Sequence, residues 1–354
     1  MARFEDRAAE IPPLSEASRS QAAARQQTLT KPAGSLGRLE ELSLHLAAIQ
    51  AEPLPWVDPP AILVFAGDHG VTEEGVSAFP PSVTAAMVEN FLNGGAAISV
   101  LSDMLGARLT VVDVGVDGPP LPPREGFLPR KVASGTRNMV EEDAMTEAEV
   151  RMALDVGRSA AAEEITRGAR ALALGDMGIG NTTSAAALTS AITGRRVDEV
   201  VGRGTGIDDP TFERKLEVVR RALSRIPPHE APIALMAAVG GLEIAALAGA
   251  AVEAAARRCP VVIDGVISTA AALWAGTVNP RLTGYLVPSH LSAEPAHRAA
   301  LDHLGLVPYL DLHLRLGEGT GAALALVLCD AACRLLREMA TFEEAEVAGR
   351  LAPE

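Results

Sequence analysis

The sequence predicts an α/β protein with a mostly parallel sheet covered by helices on both faces. Short β-branched runs alternate with long Ala-rich helical patterns, and Gly-rich turns join them. Hydrophobic residues make up 48% of the chain but aromatics only 3%, so the core must be built from Ala, Leu and Val. A charged fraction of 21% indicates neither disorder nor an extended coil. The 354 residues suffice for one large domain with an accessory piece, or for two modest domains.

Residues 13 to 51 read as helical, interrupted by "TKPAGSLGR", where Pro32, Gly34 and Gly37 force a loop. The strands follow as "AILVFAG" (61 to 67), "RLTVVDVGV" (108 to 116), "ALALG" (171 to 175), "PVVIDG" (260 to 265) and "GYLVPSH" (284 to 290). The window "PIALMAAVGGLEIAALAGAAVEAAARR" has the length of a membrane span. Glu243, Glu253 and a Gly-Gly pair interrupt it, so it reads as a pair of core helices. Residues 330 to 354 read as a helix and a polar tail.

A net charge of -14 argues against nucleic acid as a partner, because that binding needs Lys and Arg to neutralise phosphates. Lys31, Lys131 and Lys215 are the only lysines. Cys259, Cys329 and Cys333 lack metal or redox spacing and read as small buried hydrophobes in a reducing compartment. The start, "MARFEDRAAEIPP", carries acidic residues where a signal peptide needs an apolar stretch, so a cytoplasmic location is expected.

Three turns resemble one another: "GIGNTTSAAAL" (178 to 188), "DGVISTAAAL" (264 to 273) and "GEGTGAALAL" (317 to 326). Each puts Gly and Ser/Thr ahead of an Ala-rich helix, which predicts free N–H groups and a capping hydroxyl at the sheet's carboxyl edge. No lysine follows a Gly, which excludes a P-loop. Gly317, Gly319 and Ala322 match the dinucleotide pattern in letters, but the acidic second strand it needs is replaced by helical "CRLLREMATFEEAE". A nucleophile elbow would need Ser or Cys where Gly319 stands. Asp68 with His69, and His290 with Glu294 and His297, lack metal-site spacing and read as hydrogen-bonded loop residues; no metal is expected.

A phosphate-binding turn and a carboxylate remain. In "LGDMGIGNTTS", Gly175, Gly178 and Gly180 let N–H groups approach an anion, and Asn181, Thr182 and Thr183 add donors. "VGRGTGIDD" has the same character, and Lys215 just after it is the preferred fixed cation. Glu318, alone among glycines, reads either as a base or as a first-turn residue favoured by the helix dipole.

Taken in order, "LTKPAGSLGRLEEL", "AGDHGVTEEGVSAFP", "VVDVGV", "LGDMGIGNTTSAAAL", "VVGRGTGI", "VGGLEIAALAGA", "VIDGVISTAAAL", "PSHLSAEPAH" and "LRLGEGTGAALAL" resemble the nicotinate-nucleotide:dimethylbenzimidazole phosphoribosyltransferases of cobalamin assembly. The resemblance implies exchange of the nicotinate of nicotinate mononucleotide for 5,6-dimethylbenzimidazole, releasing nicotinate and giving α-ribazole 5'-phosphate. It also implies a homodimer, no cofactor and no metal. The implied fold is a doubly wound α/β domain (53 to 330) plus a small helical domain from both chain ends (1 to 52 and 331 to 354).

The same resemblance maps the base onto Glu318, with Asp176 as a second carboxylate where the family carries Glu. Ribose and phosphate are expected at Gly178, Gly180, Asn181, Thr182, Gly204, Lys215, Asp264 and Ser292. The azole would pack on Phe79, Met87, Met177 and Leu316, and Lys31 and Pro32 would close over the nicotinate side. A nucleosidase acting on nicotinate mononucleotide and a non-catalytic nucleotide or azole sensor are the alternatives.

Overall fold

The computed structural model describes residues 3 to 227 and 230 to 348. Six parallel strands form one sheet: β1 (Pro60–Gly67), β2 (Arg108–Gly115), β3 (Phe127–Pro129), β4 (Ala171–Met177), β5 (Val261–Ile263) and β6 (Leu286–Pro288). Their order is β3-β2-β1-β4-β5-β6. The chain thus winds outward in one direction from β1 and then in the other from β4, which makes the β1/β4 boundary the switch point.

Every residue of β1 is buried. Ala61, Leu63 and Phe65 join the core on one face of the sheet, and Ile62, Val64 and Ala66 join the core on the other. A strand buried on both faces reads as a continuous apolar run, which makes it legible in the sequence. Helices Glu147–Thr166, Leu242–Ala256 and Val266–Val278 supply side chains to the first core; Ser82–Leu92, Ala97–Leu105 and Thr320–Glu338 supply the second.

The short edge strand β3 was not predicted, because it lies in the Pro-rich "GPPLPPREGFLPRK". An edge position tolerates Pro129, since only one side of the strand has a neighbour to bond. β5 and β6 are three residues each, shorter than the runs that announced them. The long apolar window is a helix pair, Pro232–Val239 and Leu242–Ala256, parted at Gly240 and Gly241. Among the described residues no helix is long and apolar enough to cross a membrane.

Both chain ends meet beside the sheet. Helices Glu16–Thr28 and Arg38–Gln50 bring Ala22 and Ala47 against Leu336 of the last helix. The Arg25 guanidinium donates to the carbonyls of Leu336, Arg337 and Met339, satisfying acceptors that the helix end leaves open. The first helix, Phe4–Ala9, instead buries Phe4 and Ala8 in the main core, with Phe4 beside Trp274. The part of the polar tail from residue 349 to 354 lies outside the described residues.

Candidate active site

A cavity of about 310 Å³ lies where the chain leaves the carboxyl ends of β1 and β4. Its lining combines apolar Phe79, Met87, Met177 and Leu316 with polar Asp176, Asn181, Thr182, Ser292, Glu294, Arg315 and Glu318. A flat ring packed on the apolar side chains would thus have hydrogen-bonding groups within the same cavity.

The loop holding Glu318 is bent against the usual handedness. Gly317, Glu318 and Gly319 have φ of 82°, 63° and 88°. Glycine adopts this region freely, but a glutamate there costs on the order of 1–3 kcal/mol and must be held by its surroundings. Asp264 does the holding: its carboxylate accepts from Gly319 N at 3.2 Å and Ala322 N at 3.0 Å. Gly175 allows the loop to cross β4, since a Cβ there would stand 2.4 Å from the Glu318 carbonyl oxygen.

Glu318 is 5% exposed, and its carboxylate Oε2 has no hydrogen-bond partner. Burial pushes its pKa up, the Ile98 backbone N–H opposes, and the charge of Asp264 adds to the rise. Asp176, buried at the end of β4, accepts from Asn181 Nδ2 at 2.9 Å through Oδ2, while Oδ1 has no partner. Burial, then the negative neighbours Asp264 and Glu243, drive its pKa well above the ordinary carboxylate range; Asn181 opposes and Glu318 adds. Both carboxyls are thus pushed toward their neutral forms, Asp176 further than Glu318.

Beside this cavity is a smaller one of about 40 Å³ lined by Gly178, Gly180, Thr182, Gly204 and Lys215. Lys215 is buried, donates to Thr182 Oγ1 at 2.8 Å, and has its pKa lowered to about 8 by burial, against the pull of Glu294. Glu294 Oε1 accepts from Gly204 N at 2.8 Å and so fixes the "VGRGTGI" loop. Arg315 reaches the same loop, donating to Gly204 O at 3.3 Å. Two cations and the helix start at Asn181 therefore converge on one end of the site, a setting that suits an anion.

The phosphoribosyltransferase family model matches residues 11 to 347. The chain belongs to this family. An enzyme of Chloroflexus aurantiacus named nicotinate-nucleotide–dimethylbenzimidazole phosphoribosyltransferase is 51% identical over 343 residues, covering 97% of each chain. One of the same name from Geotalea uraniireducens is 49% identical over 341 residues, covering 96% of this chain and 97% of that one. The crystal structure of CobT from Thermus thermophilus superposes with a TM-score of 0.91 at 49% identity, covering 94% of this chain and 99% of that one.

In this phosphoribosyltransferase most of the site residues predicted from sequence fall together. Glu318, Asp176, Gly178, Asn181, Thr182, Gly204, Ser292, Phe79, Met87, Met177 and Leu316 line the main cavity, and Gly180 and Lys215 its neighbour. Asp264 does not reach either; fully buried, it supports the Glu318 loop from beneath and has its pKa raised to about 6 by burial, which its backbone donors oppose. Lys31 and Pro32 are also absent from the lining, and Lys31 pairs with Glu40 at 2.7 Å.

The capping hydroxyls expected at the three turns are not there. The N-caps are Gly180, Gly265 and Gly319, without side-chain caps, and Asp264 supplies an acceptor to the last of these helices instead. Asp68, His69, His290 and His297 have protein partners: Asp68 accepts from Asp117 N, His69 meets Glu243 and Ser184, His290 meets Ser289, and His297 accepts from Ser292 N. Among the described residues no three ligating side chains are placed to hold a metal ion.

Sequence reasoning passes over Arg315 and the Glu243–His69 pair. Arg315 stands three residues before Glu318 in "LRLGEGTG", but arginines are common in this chain and the scarce lysines stand out more. Glu243 looks like a mere interruption of an apolar window, and nothing local marks its partner 174 residues away.

Proposed function

We propose that the protein is a nicotinate-nucleotide:dimethylbenzimidazole phosphoribosyltransferase, as its relatives are named. The observation that carries the reading is Glu318, a buried residue whose carboxylate has a partnerless oxygen, in a strained loop that shares its cavity with apolar side chains fit for a bicyclic azole.

In nicotinate mononucleotide the glycosidic nitrogen is a pyridinium, so nicotinate leaves as a neutral ring and needs no acid. The incoming azole attacks C1' with one nitrogen and must lose the proton from the other. Glu318 takes that proton. Attack on the face opposite the leaving group inverts C1' and gives the α-nucleotide. Lys215 and Arg315, with the turns at Gly178, Gly180, Asn181, Thr182, Gly204 and Ser292, hold the phosphoribosyl group. Asp176, in the same cavity, plays a supporting part.

The working unit is read as a cytoplasmic homodimer, with residues 1 to 52 and 331 to 354 as its small helical domain. Lys31 and Pro32 would act on the nicotinate side only from a second copy, since they do not line the cavity of their own chain. Incubation with nicotinate mononucleotide and 5,6-dimethylbenzimidazole, with the product's anomer assigned by NMR, tests the reading. An α-nucleotide formed only when azole is present is expected; rapid nicotinate release without azole would instead identify a nucleosidase, and binding without turnover a sensor.

A further inference from the structure

Glu243 is the one charged side chain in the first two turns of the helix Leu242–Ala256, and it is fully buried. Its Oε1 lies 2.7 Å from His69 Nε2, while its Oε2 has no partner. His69, also buried, reaches Ser184 Oγ at 3.1 Å through its other ring nitrogen. Ser184 sits in the first turn of the helix whose leading residue, Asn181, bonds Asp176.

The pair lies directly behind the cavity wall. A Cβ on Gly178, which lines the cavity, would stand 3.3 Å from Glu243 Oε1 and 3.4 Å from His69 Cδ2. Gly67 and Gly241 close in on the same carboxylate, where a Cβ on each would stand 3.2 Å and 2.8 Å from Oε2. For stability alone an apolar side chain of similar volume would serve a buried pair's place as well or better. A carboxylate oxygen without a partner, beside an Asp176 that also has one, points to a use in the site.

We infer that the Glu243–His69 pair is a positioning unit for the active site: it fixes the Gly178–Asn181 turn from behind and adds one negative neighbour, after Asp264, to those around Asp176. Glu318 can then stay ionised as the base while Asp176 offers an O–H to the bound substrates. The charged groups near Glu243 are His69 and Asp68 after β1 and Asp176 on β4; Asp264 and Glu318 act on Asp176 as well. The charge of His69 is favoured, since burial disfavours it but Glu243 and then Asp68 outweigh burial.

This inference rests on the transferase reading, and its test is the pH dependence of kcat. The parent enzyme should lose activity at high pH as Asp176 ionises, and Asp176→Asn should abolish that limb. Glu243→Gln keeps the shape but removes the charge, so the limb should move to lower pH by about one unit, because Asp176 loses a negative neighbour. His69→Gln leaves Glu243 uncompensated and should move it upward. A packing role predicts no such opposed shifts. Superimposable profiles for the parent and either folded variant, or a limb that survives Asp176→Asn, would overturn the inference. If one variant fails to fold, the other still decides by its direction. An inactive parent would defeat the transferase reading itself.

Discussion

Two glutamates ten residues apart in one helix have opposite surroundings. Glu253, near the carboxyl end of Leu242–Ala256, is saturated: Arg7 donates at 2.8 and 3.0 Å and Arg257 at 2.5 Å. Burial raises its pKa, but these hydrogen bonds more than offset that and hold it below the ordinary value. Glu243, at the amino end, has a single imidazole and an oxygen left over. The first arrangement ties the N-terminal helix to the domain. The second stands behind a cavity in which Asp176 and Glu318 also have oxygens without partners. Glu253 is thus neutralised, whereas Glu243, Asp176 and Glu318 at the sheet's carboxyl edge each keep an oxygen without a partner.

The largest expected effect comes at the available end. Glu318→Gln should lower kcat by about 100-fold or more, the scale of a lost general base, while the melting temperature holds or rises. Steady-state kinetics alongside calorimetry would check both halves. At the saturated end, Glu253→Ala should lower stability by about 3 kcal/mol, the low end for breaking a buried pair because Arg7 and Arg257 keep access to water. Urea unfolding would measure it, and kcat per folded molecule should not change.

Lys215→Met should raise the KM for the nucleotide about tenfold, equivalent to one charge-assisted hydrogen bond, with a smaller change in kcat. In the parent the same KM should climb as pH passes about 8, where Lys215 loses its proton. The smallest effect sharpens the contrast through pH. Asp176 in the fold keeps its proton above the unfolded-state pKa, so its neutral form is favoured at low pH and stability falls as pH rises. Asp176→Asn should therefore raise the melting temperature more at pH 8 than at pH 5. Glu253 has the opposite sign: its lowered pKa contributes stability at neutral pH that is lost as pH falls below the ordinary glutamate value. The deficit of Glu253→Ala should shrink in acid.

Much of this was legible in the sequence because the signals are local. The long strands β1, β2 and β4 are mostly buried and mostly apolar, and the glycine turns after them mark where the backbone must approach a ligand or another loop. β3 was hidden because its three residues depend on an edge position and not on composition. The cap of the helix Thr320–Glu338 was misread because its acceptor, Asp264, comes from a different strand end. Arg315 and the Glu243–His69 pair were missed for the same reason. Their roles depend on partners brought close by sheet topology, and spacing along the chain carries no trace of that.

The left-handed backbone at position 318 sets a conflict between durability and chemistry. Glycine there would relax the loop and relieve a buried carboxylate, so a screen that rewards heat resistance alone would drift toward removing the proposed base. A hardened variant of this protein should be sought only with turnover among the selection criteria.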